Sequence, residues 1–373
     1  MRIDIRHECE KYDSFRANKV RSLFNPEHGH VWEHTANIPI EGMEWKIGLI
    51  VGRSGSGKTS IGGRIFPETP IHDLYGGWRD DAPIVDCIAP TGTLDDVTAA
   101  LSAVGLGDVP AWLRPFHVLS NGEQFRAGLA RLCVERPERA VVDEFTSVVD
   151  RQIAKVGAAA FSKAWRRGNG QIALLSCHYD IIEWLQPDWV YDTTEARFYG
   201  RDCLRPRPRL SLEVYKCSGS AFRYFKPHYY LDLPHPVAAE FFVGFVDGEP
   251  VCHLAVSPMF TANAYRATRL VVMPEWVGTK FLNEICEYHL QGRGRCGKRL
   301  GTFFHTSHPQ LCRALRKSPK WEQRSAALHG GNKARSIESI RRSHEKNPAG
   351  RCGAGYGGHF RAVQGFKYVG GGL

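Results

Sequence analysis

Two kinds of apolar pattern divide this chain. In the first half, Trp45-Lys46-Ile47-Gly48-Leu49-Ile50-Val51 is nearly continuous in apolar residues and runs into glycine, which predicts a short strand buried on both faces. Arg139-Ala140-Val141-Val142-Asp143-Glu144-Phe145 repeats the pattern and carries two acids at its end. A helical stretch, Phe125 to Glu135, precedes it. In the second half the runs are longer and broken by turns. Glu240 to Val246 and Pro250 to Val256 read as paired strands across the Asp247-Gly248 turn. Ala267 to Pro274 reads as a strand stopped by proline. Phe281, Leu282, Ile285 and Cys286 fall at helical spacing between Phe281 and His289, and Arg299 to His305 reads as a further strand. A Gly-rich tail predicts loop before a last short strand near Phe366 to Val369.

The two patterns meet at Arg201-Asp202-Cys203-Leu204-Arg205-Pro206-Arg207-Pro208-Arg209, where alternating proline disfavours both helix and central strand. The expected domains are therefore 1–204 and 205–373. A length of 373 residues suits two domains, or three. With 43% hydrophobic and 24% charged residues, dominant disorder, collagen and coiled coil are excluded. The chain holds no apolar run of ~18 residues, so no membrane span is expected. The charged start MRIDIRHECEKYDSFR has no apolar segment of a secretory signal. Eleven cysteines lie scattered without a CxxC pair, which reads as thiols in a reducing compartment and offers no zinc site. A cytoplasmic location is the expectation.

Charge is uneven. The net of +10 conceals 17 Lys or Arg against 3 Asp or Glu in residues 291–373. The rest of the chain is slightly acidic. Residues 291–320 alone carry eight basic residues and no acids, with Trp321 next. This asymmetry points to a polyanionic partner, nucleic acid first and CoA phosphates second, against the alternative of a solvated basic surface.

Candidate chemistry begins directly after the first strand. Gly52-Arg53-Ser54-Gly55-Ser56-Gly57-Lys58-Thr59 matches GxxxxGK(S/T), followed by Ser60. Gly52, Gly55 and Gly57 let backbone N–H groups converge on phosphate oxygens, Lys58 reaches the β/γ-phosphates, and the Thr59 hydroxyl ligates Mg²⁺. Asp143 is placed to hold the same Mg²⁺ and Glu144 to polarise an attacking water. Leu119-Ser120-Asn121-Gly122-Glu123-Gln124 opens a helix, so Ser120 and the Gly122 N–H form a second anion site. Ser147-Val148-Val149-Asp150 and Leu174-Leu175-Ser176-Cys177-His178 follow.

These five motifs, in this order over roughly residues 20–200, resemble the ABC ATPase family. The resemblance implies an α/β P-loop NTPase with a RecA-like core and a signature subdomain. It makes Gly52 to Thr59 Walker A, Leu119 to Glu123 the signature, Asp143 and Glu144 Walker B with the catalytic base, Asp150 the D-loop end and His178 the switch histidine. It also implies a homodimer with ATP between Walker A of one subunit and the signature of the other. The signature reads LSNGE, closer to soluble SMC-like and DNA-repair ATPases than to transporters. Residues 62–118 contain no glutamine, so Asp86 is the candidate for the Q-loop position. Phe24, Trp32 and Trp45 are candidates for stacking on adenine, with Phe24 preferred.

The second half resembles the GNAT acyltransferase fold, an α+β domain, through its hairpin, its Val-Val-Met-Pro strand and the glycine-bearing loop before a helix. By that resemblance Val271 and Met273 contact the pantetheine arm of an acetyl-CoA or other acyl-CoA, and Val277, Gly278, Thr279 and Lys280 offer N–H groups to its pyrophosphate. The loop WVGTKF departs from the usual (Q/R)xxGx(G/A) by lacking the second glycine. His228 is a candidate general base, Tyr229 and Tyr230 candidate acids toward a thiolate, and Ser307 a candidate for positioning the acceptor. Core packing is the alternative for the aromatic segment. The HY…P placement resembles the Mom-type, DNA-base-modifying branch of the GNAT fold, and the whole chain resembles an ABC-type ATPase fused to a GNAT-like domain. Two functions follow from these resemblances. One is ATP-controlled acyl transfer to nucleic acid; the other is a nucleic-acid-stimulated ATPase whose second domain only binds.

Overall fold

The computed structural model describes all residues except 11, 25–30, 230–235, 237, 260–261, 274–280, 328–362 and 372–373. The chain opens with β1 (Arg2–Glu8), α1 (Phe15–Phe24) and β2 (Val31–Asn37). β3 (Ile47–Val51) leads into α2 (Lys58–Ile65), then β4 (Ile71–His72). Three helices follow: α3 (Ile84–Cys87), α4 (Leu94–Ala103) and α5 (Val109–Trp112). Next come α6 (Asn121–Glu135), β5 (Arg139–Val142), α7 (Arg151–Trp165) and β6 (Gln171–Ser176). α8 (Ile182–Leu185), β7 (Trp189–Asp192) and β8 (Arg197–Gly200) complete this part. Then come β9 (Glu213–Cys217), α9 (Phe222–Phe225), β10 (Glu240–Val246), β11 (Glu249–Met259) and β12 (Ala264–Val272). The last elements are α10 (Phe281–Leu290), β13 (Thr302–Thr306), α11 (Pro309–Lys317), β14 (Trp321–Ala327) and β15 (Val363–Tyr368).

Two compact units result, but not as 1–204 and 205–373. The first holds Met1–Asp80 and Phe116–Pro208; the second holds Asp81–Pro115 and Arg209–Leu373. The segment 81–115 groups with the C-terminal strands because of its own contacts. The Gln310 amide donates to Asp95 O and Thr98 Oγ1, each at 3.4 Å. The Trp112 indole meets the His308 ring edge-on at 5.3 Å.

In the first unit, β4, β5, β6, β3, β7 and β8 form one sheet in that order, parallel except for the antiparallel β7–β8 pair. Every residue of β3 is buried, as its unbroken apolar run requires. The antiparallel β1–β2 pair packs Ile3, Ile5 and Ala36 against Ile61, Ile65, Trp189 and Tyr191. Burial of these side chains contributes on the order of 1.5–3 kcal/mol each for the larger ones. Helix α6 starts at Asn121, four residues before Phe125, because Ser120 and Glu123 form a capping box.

In the second unit the sheet order is β14-β15-β13-β12-β11-β10-β9. β9 to β12 are mutually antiparallel, β12 and β13 are parallel, and β15 lies antiparallel between β13 and β14. α10 and α11 cover one face through Phe281, Ile285, Cys312 and Leu315. α9 covers part of the other, with Phe225 packed on Val243 and Val271. The strand expected from Arg299 begins at Thr302, and the final strand spans Val363–Tyr368 instead of starting near Phe366.

Candidate nucleotide site

The P-loop leaves β3 with backbone that only glycine adopts comfortably. Gly52 has φ +152, and a Cβ there would lie 1.8 Å from Thr193 Oγ1. Gly57 has φ +86 just before α2, and a Cβ there would lie 2.4 Å from Trp32 Cη2. Ser56 Oγ and Thr193 Oγ1 are 2.5 Å apart, which ties the loop to the end of β7. Lys58 Nζ donates to Gly52 O at 3.0 Å and Arg53 O at 2.8 Å, so its ammonium lies over the loop. A glycine-bearing loop, a lysine ammonium over it and the start of α2 are the elements from which anion cradles are built.

Thr59 Oγ1 donates to Asp143 Oδ2 at 2.6 Å, joining the first turn of α2 to the end of β5. Asp143 Oδ1 also accepts the Glu144 N–H at 2.8 Å. Hydroxyl and carboxylate side by side are the hard oxygen donors that Mg²⁺ takes alongside phosphate oxygens and water. No group of three or more His, Cys, Asp or Glu suited to a metal occurs among the described residues. A Mg²⁺ held mainly through a nucleotide requires no such group. Glu144 is exposed, with φ +54, a strained setting for a non-glycine residue.

His178 is held below the ordinary histidine pKa, first by burial and then by the Arg151 charge, while Asp180 and Glu144 oppose the shift. The shift favours the neutral imidazole. Arg151 is paired with Asp180. Asp150 caps α7, its Oδ1 accepting from Gln152 N at 2.8 Å and Ile153 N at 3.1 Å.

The signature segment packs on this cap. A Cβ at Gly122 would lie 2.7 Å from Ile153 Cδ1. Glu123 Oε2 accepts from Ser120 N at 2.8 Å and Ser120 Oγ at 2.7 Å. The anion site expected from Ser120 and Gly122 thus has Glu123's own carboxylate on its serine donors. Asp86 is exposed on α3, in the second unit.

Phe24 is 75% exposed on α1. Trp32 instead sits against Gly57 and is stacked between His7 at 5.6 Å and His34 at 5.7 Å. His7 Nε2 reaches Ser60 Oγ at 2.8 Å. Trp45 is core, stacked on Phe66 at 5.7 Å. The pairing of β1 with β2 sets Trp32 opposite His7, a relation invisible in spacing.

In the second unit, His228 is exposed and Tyr229 half-buried, edge-on to Phe222 at 5.6 Å. Val271 is buried and Met273 half-buried; both contact the Phe225 cluster. Ser307 follows β13 and is half-buried. Tyr230, Val277, Gly278, Thr279 and Lys280 lie outside the described residues. Sequence reasoning passed over His253, which is fully buried among Phe222, Phe225 and Phe241.

No protein-family model matches the chain. It is 27% identical over 192 residues to a predicted ABC transporter ATP-binding protein of Nostoc sp., covering 50% of this chain and 63% of that one. It is 31% identical over 159 residues to a predicted 2-aminoethylphosphonate import ATP-binding protein of Salmonella typhimurium, covering 34% and 42%. The chain therefore spans less than two thirds of the length of these curated relatives. An ABC-type ATPase domain is supported over about half of the chain. Among solved structures, cbiO1 from Clostridium perfringens matches at 19% identity and a TM-score of 0.34, covering 42% of this chain and 77% of that one. A dimeric bacterial ABC transporter cassette matches at 12% identity and 0.35, covering 45% and 89%.

Proposed function

We propose that the first unit binds and hydrolyses MgATP as a homodimer, and that the second transfers an acyl or related group from an acyl-CoA to an amine on nucleic acid. The observation that carries the first half is the Thr59–Asp143 contact at 2.6 Å beside the P-loop. Lys58 and the loop N–H groups bind the phosphates, Thr59 and Asp143 hold the metal, and Glu144 orients water with His178 near it. A bound Mg²⁺ would supply neutralisation of phosphate charge at Thr59 and Asp143. Trp32, against Gly57, is the better placed aromatic for the adenine.

Support for the second half comes from topology. The sheet runs antiparallel from β9 to β12, sets β13 parallel to β12, and places β15 between β13 and β14. The β12–β13 ladder ends at Ala267 and Phe304, yet β12 runs on to Val272. On its β13 side this stretch, unpaired there among the described residues, offers backbone groups for an extended pantetheine arm beside Val271. Arg293, Arg295, Lys298, Arg299, Arg313, Arg316 and Lys317 are all exposed, which suits a polyanion. No helix among the described residues is long and apolar enough to cross a membrane.

The deciding experiment pairs Glu144→Gln with transfer. The variant is expected to trap an ATP-bound dimer and change the transfer rate; unaltered transfer at saturating ATP would count against ATP control. A second reading keeps the ATPase and makes the other unit a non-catalytic nucleic-acid binder. The missing second glycine in WVGTKF favours it. Calorimetry showing no acetyl-CoA binding, with tight salt-dependent DNA binding, would select this reading.

A further inference from the structure

His305, Gly365 and Ser325 form one row across β13, β15 and β14: His305 pairs with Gly365, and Gly365 with Ser325. Directly paired residues on neighbouring strands share a face. Phe304 and Phe366 belong to the core under α10 and α11, so the alternating His305 and Gly365 face away from it. Both His305 and Ser325 are open to solvent.

The glycine leaves room for the tips of two neighbouring side chains. Its φ is not in the left-handed region, so conformation does not demand it. A Cβ at Gly365 would lie 2.4 Å from Ser325 Oγ and 2.9 Å from His305 Nε2. Both polar atoms therefore crowd toward one point above the strand, where any side chain would push them apart. Glycine inside a strand weakens it and marks close approach of another group. Here that group is a pair of polar side chains with the chemistry of a base and a hydroxyl.

The row also has a distinctive position. His305 is the first residue of β13 beyond the last β12–β13 pair, Ala267 with Phe304. It stands at the mouth of the unpaired stretch described above. Its imidazole is held toward the neutral form, first by partial desolvation of the otherwise exposed ring and then by the Arg266 charge, as a proton acceptor must be.

We infer that His305 and Ser325, brought together over Gly365, form the acceptor site of the second unit. His305 Nε2 takes the proton and Ser325 Oγ orients the nucleophile. This rests on the acyl-transfer reading above. The acceptor amine attacks the thioester carbonyl carbon and loses a proton to His305 Nε2. The C–N bond forms as the C–S bond breaks, the CoA thiolate leaves with the bonding pair, and the imidazolium returns the proton to it.

The test uses the purified full chain, acetyl-CoA as donor, total cellular DNA or RNA as acceptor, and thiol release as readout. His305→Gln is expected to lower kcat by about 100-fold or more, the usual span for a lost general base. Acetyl-CoA affinity by calorimetry and Tm should stay at wild-type values. Gly365→Ala should lower kcat in the same way by filling the gap, and Ser325→Ala should raise the KM for the acceptor. Wild-type kcat in His305→Gln and Gly365→Ala, with wild-type thiol release intact, overturns the inference alone. No thiol release from the wild type with either nucleic acid overturns the acyl-transfer reading, and this inference with it.

Discussion

The Thr59 hydroxyl donates to Asp143 Oδ2 at 2.6 Å, across 84 residues of chain. This bond joins the anion cradle of the P-loop to the acidic end of β5. It makes one side of the nucleotide site a single object built from two strand ends.

Asp143→Asn should therefore cost more than one carboxylate. The amide keeps a partner for Thr59 but removes the negative charge that holds Mg²⁺. ATP hydrolysis is expected to fall about 100-fold or more, in keeping with loss of a catalytic metal ligand. Steady-state phosphate release against Mg²⁺ concentration checks this, and an unchanged rate at low Mg²⁺ would refute the assignment.

Glu144→Gln separates binding from hydrolysis. The side chain is exposed and its removal leaves the P-loop bonds untouched. ATP affinity should be retained while turnover is lost. Size-exclusion chromatography with and without ATP should show a dimer only with ATP; monomer under both conditions would argue against the shared site.

Trp32 and Phe24 can be compared directly. A base stacked on an aromatic ring is stabilised by about 1–3 kcal/mol, so Trp32→Ala should weaken ATP binding by roughly tenfold. Phe24→Ala, on an exposed helix face, should leave it within twofold. A fluorescent ATP analogue titrated into both variants decides between them, and the opposite ranking would return the role to Phe24.

These contrasts show what the chain pattern makes legible. Gly52 to Thr59 is contiguous, and phosphate binding is a backbone property of such a loop, so its chemistry can be read without coordinates. Asp143 and Glu144 close an apolar strand and are legible for the same reason. Trp32 is not, because its place beside Gly57 depends on β1–β2 register and on the closeness of a side chain to a glycine. The grouping of 81–115 with the C-terminal strands rests on long-range contacts such as Gln310 with Asp95. The His305–Gly365–Ser325 row needs three strands in non-sequential order, and no spacing rule encodes that order.

His253 should make the second unit sensitive to acid. It is fully buried, its Nε2 has no hydrogen-bond partner among the described residues, and its Nδ1 lies 3.4 Å from Arg269 O. Burial pushes its pKa down from 6.5 to about 4. A depressed histidine favours folding in its neutral form. Its contribution is fully present above pH 6.5 and is lost as pH falls through about 4, amounting to ~3 kcal/mol. His253→Phe, with three phenylalanines already around it, removes the titrating group. The variant's Tm should fall less than the wild type's between pH 7 and pH 4; parallel Tm profiles would contradict the buried neutral state.

ATP at the first unit is proposed to govern chemistry on nucleic acid at the second. Mass spectrometry of nucleosides from DNA and RNA of cells expressing the wild type or Lys58→Ala tests it most directly. A new modified nucleoside is expected in wild-type cells and is expected to disappear with Lys58→Ala, its mass naming the donor group. The same nucleoside profile in both, or no new nucleoside in wild-type cells, would contradict it.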